Sequence, residues 1–243
     1  MSHPLPGGKR RRGSRSDRLA DAAAPRVLRP APLRQAVYDA IVELIVHGTL
    51  QRGQHVVEAE LAEYLGVSRQ PVREALQRLQ TDGWIELLPG QGAFVHTPSE
   101  DEVDQLLGLR TVLETHSAGL AAERATAEDV NRLWELQQDG VNALAANDSE
   151  GLVAANAALH AAINALAANK VLAEHIGLVE RKWRWYYLPI AQPRGQDAWS
   201  EHAELIKAIA AQDVARATDI MHRHTERTRH VYREQRLAKT DQQ

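Results

Sequence analysis

Asn156 and His160 stand four residues apart in a stretch, Leu152 to Leu166, whose apolar residues recur at helical spacing. One helical turn separates them, so both side chains can address one ion. His202 shares a helical face with Leu205, Ile206 and Ile209, and His224 shares one with Ile220, Met221, Thr228 and Val231; His222 falls on the opposite side. Three imidazoles and an amide oxygen are a ligand set suited to zinc, nickel, iron or manganese. Helical faces alone do not establish convergence, and three separately packed core histidines are the alternative. Arg110 also falls inside an apolar stripe, four residues from Leu106 and three from Leu107 and Leu113, and His116 leans the same way. A buried guanidinium needs a carboxylate. It can come from the protein, with Glu114 in reach, or from a ligand.

A second constellation lies earlier in the chain. After Ser68, a good N-cap, Val72, Ala75, Leu76 and Leu79 form a buried stripe. Arg69, Gln70, Arg73 and Gln77 lie off that stripe, with Arg69 and Arg73 one turn apart. Arginine is the usual bidentate partner of guanine and glutamine of adenine, and a helix N-terminus offers amides to a phosphate. The bland reading is a solvated helix face, or a module that binds protein.

The elements needed to position these groups follow from pattern. Val37, Ile41, Leu44 and Ile45 mark a first helix ending at Gly48; Glu58 to about Leu65 forms a second, broken by Gly66; Ser68 to about Thr81 forms the third. Trp84 to Leu88 and Ala93 to Val95 read as strands around the turn Pro89-Gly90-Gln91-Gly92. Three helices and a hairpin make a winged helix-turn-helix, whose third helix enters the major groove by its N-terminal end. Gly90 and Gly92 leave the wing tip free to lie close to DNA. Beyond Pro98 the pattern is all helical. Ser99 with Glu102 reads as a capping box, Thr126 with Asp129 caps a second helix through about Ala145, and Asp148 opens a third. A fourth runs from about Val171 to Leu188, residues 189–198 read as a loop, Ser200 opens a fifth, and Asp213 caps the last. Trp183, Trp185, Tyr186 and Tyr187 are expected in ordinary core and dimer packing, with a pocket wall as the alternative.

Composition narrows the function classes. The 243 residues are 44% hydrophobic and 5% aromatic, with no cysteine, which excludes disulfides, thiolate metal sites and cysteine nucleophiles. No apolar run of membrane-spanning length is present, and no apolar stretch follows the early arginines as an export signal requires, so a cytoplasmic protein is expected. The net charge is −3, unevenly spread. Residues 1–30 hold eight Lys and Arg against two acids, residues 31–97 five against eight, and residues 98–243 sixteen against twenty-two. Residues 1–31 thus read as a disordered basic tail, 32–97 as the winged helix, 98–236 as the helical unit and 237–243 as a short tail. Such a basic arm can neutralise phosphates without reading sequence; a solvated tail without a partner is the alternative.

The run Glu60-Leu-Ala-Glu-Tyr-Leu-Gly-Val-Ser-Arg-Gln-Pro-Val-Arg-Glu-Ala-Leu-Gln-Arg-Leu79, with Gly83 and Gly92-Ala-Phe-Val95, resembles the GntR family of bacterial regulators over residues 33–96. The resemblance implies that Arg69 and Arg73 are the main DNA contacts, with Gly90 at the wing tip. Many relatives carry an arginine near the position of Ala59, a contact alanine cannot make. The later pieces Leu109-Arg-Thr-Val-Leu-Glu114, Asn156-Ala-Ala-Leu-His160, Ser200-Glu-His202, Ala208-Ile-Ala-Ala-Gln-Asp213 and Met221-His-Arg-His224 resemble the FCD effector domain of the FadR-type subfamily. That resemblance implies an antiparallel helical bundle holding a divalent metal through Asn156, His160, His202 and His224, with Arg110 gripping a small carboxylate beside it. Aspartate is frequent where this chain has Asn156, so the site carries one negative charge fewer and should hold a metal less tightly.

These readings add up to a ligand-responsive regulator, a repressor in the commoner case. It would bind a pseudo-palindromic operator in double-stranded DNA as a homodimer and sense a small organic acid, zinc being the first candidate metal. A metal-dependent enzyme fused to a DNA reader is the main rival, although no general base stands at a diagnostic spacing. An architectural DNA-binding protein with no ligand is the second.

Overall fold

The computed structural model describes residues 31–187 and 190–240. The basic tail of residues 1–30 and the last three residues lie outside it. The described elements run α1 (Ala31–Val46), β1 (His55–Val56), α2 (Glu58–Tyr64), α3 (Arg69–Thr81), β2 (Ile85–Leu88), β3 (Gly92–Val95), α4 (Glu100–Arg124), α5 (Ala127–Ala145), α6 (Ser149–Leu166), α7 (Lys170–Tyr187), α8 (Ala191–Ala210) and α9 (Val214–Thr240). The fold is mainly α, a winged helix-turn-helix followed by an all-helical bundle.

In the first unit, Val37, Ile41 and Ile45 of α1 meet Val72, Leu76 and Leu79 of α3, all buried. The apolar stripe of α3 therefore fixes which face stays outside. α2 ends on Gly66, at φ +65, where the left-handed region lets the chain reverse tightly; the amide of Val67 returns to the Ala62 carbonyl at 3.0 Å. β2 and β3 pair in antiparallel register, Ile85 with Val95 and Leu88 with Gly92. β1 adds to the far side of β3, giving the order β1-β3-β2. The sequence pattern shows only the hairpin, because a two-residue strand has no alternation to read.

The second unit packs α4 against α9 along most of their lengths, with α5, α6 and α8 closing the bundle. Its core includes Leu107, Ala118 and Ala122 of α4, Leu159 and Ile163 of α6, Leu205 and Ile209 of α8, and Met221 of α9. Asp104 and Arg229 form a bidentate pair at 2.6 and 2.5 Å that locks α4 to α9. Where α5 crosses α8, Gly140 faces Trp199: a Cβ there would lie 1.9 Å from the indole. Trp199 in turn stands edge-on to His202, ring centroids 4.8 Å apart. Gly140→Ala is therefore expected to destabilise the bundle by about 3 kcal/mol, the upper end for overpacking, and to displace His202. Thermal denaturation checks the first effect; an unchanged melting temperature would show that Trp199 can move aside freely.

Four local expectations need correction. Residues 191–198 are helical, the start of α8, and not loop. Pro193 sits in the first turn, where a missing N–H costs nothing, and Gly195 lets Leu144 pack tightly against the helix. Ser68 occupies the N-cap of α3 with extended backbone but makes no side-chain capping bond. Ser99 accepts from the Glu102 amide, but the Glu102 carboxylate turns to His96 Nε2 at 2.8 Å, so only half of a capping box forms. His116 is exposed. Thr126 and Asp129 form a complete box and Asp148 caps α6, both as their sequence implies.

Candidate metal centre and nucleic-acid interface

α6, α8 and α9 each contribute one histidine to the interior of the bundle. His160, His202 and His224 are 0%, 1% and 3% exposed. Their apolar neighbours seat these faces inward, so the rings arrive together because the helices pack. His202 Nε2 lies 3.2 Å from His160 Nε2 and 3.3 Å from His224 Nε2. A tetrahedral ion with bonds of 2.0–2.1 Å requires ligand nitrogens about 3.3 Å apart, so the spacing fits.

The outer nitrogens explain why the inner ones face each other. His160 Nδ1 donates to Glu114 at 2.8 Å, and His224 Nδ1 donates to Glu201 at 2.9 Å. A carboxylate only accepts, so the proton of each ring sits on Nδ1 and the Nε2 lone pair points inward. Converging lone pairs repel unless a cation lies among them. His202 Nδ1 is buried without a protein partner. Asn156 is buried on α6 one turn before His160, and so on the right helical face. Burial, reinforced by the neighbouring histidines, holds His202 and His224 well below their ordinary range. They are neutral, as metal ligation requires.

This has a consequence for the metal-free protein. Unfolded histidines take up protons as pH falls below about 6.5, while His202 and His224 in the fold resist them. Their contribution is complete above pH 6.5 and lost as pH falls from there. The expected slope is about 1.4 kcal/mol per pH unit per histidine. Denaturant titrations of chelator-treated protein between pH 7.5 and 5.5 measure it, and a flat profile would contradict it.

Arg110 of α4 is 2% exposed. Its Nε donates to Glu114 at 3.0 Å, its Nη2 approaches Glu180 at 3.8 Å and His160 at 3.3 Å, and its guanidinium lies 4.8 Å over the Trp183 ring. Both sequence readings meet here, for Arg110 has an internal ion pair and also borders the histidines. Burial pushes the Glu114 carboxyl up, but Arg110 and then His160 overcome this and hold it at about 2. Glu180 is raised by burial, which Arg110 only partly offsets. Three participants escape the sequence reading: Glu180, Glu201 and the buried Arg194. Glu201 has a signal in its place beside His202. Arg194 sits in a Pro- and Gly-containing stretch that reads as a loop.

α7 links this centre to the first unit. Glu180 and Trp183 meet Arg110, while farther along α7 Trp185 lies 5.6 Å from Trp84. Arg52, from the turn before β1, stacks 5.0 Å over Trp185 and donates to its carbonyl at 3.3 Å. α4 is thus not the only path between the units. The aromatic residues Trp183, Trp185, Tyr186 and Tyr187 are all buried, and Trp185 serves the joint between units.

On the outer face of α3, Arg69, Gln70, Arg73 and Gln77 are all exposed. Arg69, Arg73 and Gln77 border a cleft of about 640 Å³ shared with Glu58 of α2 and with Gly90 and Gly92 of the wing, whereas Gln70 bonds Glu74 at 2.8 Å outside it. Arg73 is held bidentately by Glu58 at 2.9–3.2 Å, and Arg69 approaches the same carboxylate at 3.6 Å. The hydrogen bond from Arg73 lowers the Glu58 carboxyl, so Glu58 stays charged. Gly92, at φ +107, faces His55 so closely that a Cβ would lie 2.7 Å from Nε2.

Residues 33–95 match the Bacterial regulatory proteins, gntR family, and residues 105–227, half of the chain, match the FCD domain. The chain belongs to the GntR family. This GntR regulator is 30% identical over 206 residues to the HTH-type transcriptional regulator LutR of Bacillus subtilis, spanning 74% of this chain and 92% of that one. It is 27% identical over 217 residues to the Uxu operon transcriptional regulator of Escherichia coli, spanning 79% and 83%. Among solved structures, E. coli McbR/YncC superposes with a TM-score of 0.74 at 23% identity, covering 84% of this chain and 98% of that one, a likeness of fold. The GntR chain is therefore a bacterial transcriptional regulator whose helical half is an FCD effector-binding domain. Among the described residues no helix is long and apolar enough to cross a membrane.

Proposed function

We propose that this regulator is a metal-dependent repressor that senses a small organic acid. The observation that carries the reading is the convergence of three Nε2 atoms, two of them backed by carboxylates on Nδ1. Asn156, His160, His202 and His224 would hold the ion. When bound, it would supply a Lewis-acidic site for a carboxylate oxygen. Arg110 orients the acid, because its guanidinium borders His160 and is itself held by Glu114. Residues 32–97 form the reading unit and residues 98–236 the sensing and dimerising unit. Two reading units on a two-fold dimer match a pseudo-palindromic operator.

The sign of the response depends on differential binding: acid must favour one arrangement of the two units. The joint between Arg52 and Trp185 gives that arrangement a physical contact to change. The decisive experiment is a gel-shift titration on operator fragments selected from genomic DNA, with metal-loaded protein and candidate acids. Acid is expected to release the wild type. Arg110→Ala would leave Glu114 buried without its partner, at a cost of about 3–5 kcal/mol, so Arg110→Lys is the cleaner variant. It is expected to bind operator normally and to need at least about tenfold more acid for release. A lysine variant with the wild-type acid response would remove Arg110 from the ligand site.

A further inference from the structure

Among the described residues two arginines are fully buried, Arg110 and Arg194, and each borders a different histidine of the triad. Arg110 borders His160 at 3.3 Å. Arg194, from the first turns of α8, reaches the His224 carbonyl with Nη2 at 3.5 Å and shares Glu201 with the His224 ring. The three rings form a triangle with centroids 4.5–5.3 Å apart, and His202 Nε2 is close to both other Nε2 atoms. Tyr187 is buried where both guanidiniums act on its hydroxyl, which burial nevertheless pushes up to about 12.

The donors of Arg194 are unevenly used. Nε donates to Thr228 at 3.3 Å and Nη2 to Glu201, but Nη1 is buried with no hydrogen-bond partner. Glu201 cannot take up the surplus. Its second oxygen is held by Arg227, so one carboxylate serves two guanidiniums and an imidazole. A buried guanidinium N–H without an acceptor calls for one, and an anionic oxygen bonds it most strongly. A monocarboxylate held at the Arg110 end leaves that donor unsatisfied.

We propose that Arg194 is a second effector anchor and that the effector is a small dicarboxylate, one carboxylate facing the Arg110 end of the triad and the other meeting Arg194 Nη1. The inference rests on the reading of the histidine centre as the effector site. Full-length, metal-loaded protein would be titrated calorimetrically with a series of C3 to C6 dicarboxylic acids, with and without a hydroxyl, each paired with the monocarboxylic acid of equal length. Diacids are expected to bind at least about tenfold more tightly than their partners, the effect of one charge-assisted hydrogen bond. In Arg194→Lys, which keeps the charge but loses the fork, that advantage should fall about tenfold; it is read as the ratio of diacid to monoacid affinity in samples of equal metal content, so that any loosening of Glu201 and His224 cancels.

Equal binding of monoacids and diacids, or a lysine variant that keeps the full diacid advantage, overturns the proposal, as does metal-loaded protein that binds no acid of the series. If the lysine variant does not fold, the wild-type ratio of the two affinities decides alone. Metal content of the same samples separates the two levels. Protein that takes up no metal counts against the histidine centre itself. Metal-loaded protein that binds monoacids without a diacid preference counts against Arg194 only.

Discussion

Wild-type protein purified without a nickel column is expected to carry near-stoichiometric metal, and a His160→Ala chain to lose it. The physical reason is the arrangement of charge. His202 Nε2 stands 3.2 and 3.3 Å from the Nε2 atoms of His160 and His224, whose lone pairs face inward, and among the described residues no donor outside the three rings is hydrogen-bonded to them. A cation relieves that repulsion, and three imidazoles in a buried site favour a divalent ion. Loss of an outer partner of a metal-bound histidine costs about 10–100-fold in affinity, so Glu114→Gln and Glu201→Gln should fall in that range and His160→Ala beyond it. Asn156→Asp should act in the opposite direction, because an anionic oxygen replaces a neutral one. Metal retained after dialysis against graded chelator concentrations, read by inductively coupled plasma mass spectrometry, ranks all four. Native protein without metal, or His160→Ala with metal retained, would sink the assignment. The order matters as much as the extremes, since a merely structural histidine cluster would give no gain with Asn156→Asp.

The second large effect is expected at α3. Arg69→Ala and Arg73→Ala should each lower operator affinity about 10–100-fold if they pair bidentately with guanine, and the double variant should bind only as weakly as it binds unrelated DNA. Both arginines are exposed on the face that the apolar stripe leaves outside, beside the wing. Both also lean on Glu58, so each must exchange that carboxylate for DNA. Glu58→Gln is therefore expected to strengthen binding and to raise its salt dependence, because two more cationic groups become free for phosphates. Gel-shift titrations at several salt concentrations measure both changes. Arginine variants with wild-type affinity would refute their role, and a Glu58→Gln chain that binds more weakly would mean that Glu58 positions the arginines for reading.

The outward face of α3 was legible in the sequence because amphipathic spacing is local: once Val72, Leu76 and Leu79 go inside, Arg69 and Arg73 must face out. The same argument placed Arg110, His160, His202 and His224 in buried faces, and the caps at Thr126 and Asp148 were written in four-residue motifs. Periodicity specifies which way a side chain points on its own helix. It says nothing about the distance between one helix and another. The meeting of the three Nε2 atoms, the carboxylates behind them and the pairing of Arg69 and Arg73 with Glu58 therefore depended on packing. Tertiary contacts also decided where the sequence signal was misleading. Pro193 and Gly195 read as loop residues, yet the close approach of Leu144 and the ion pair with Glu201 make their segment a helix and bury Arg194 within it.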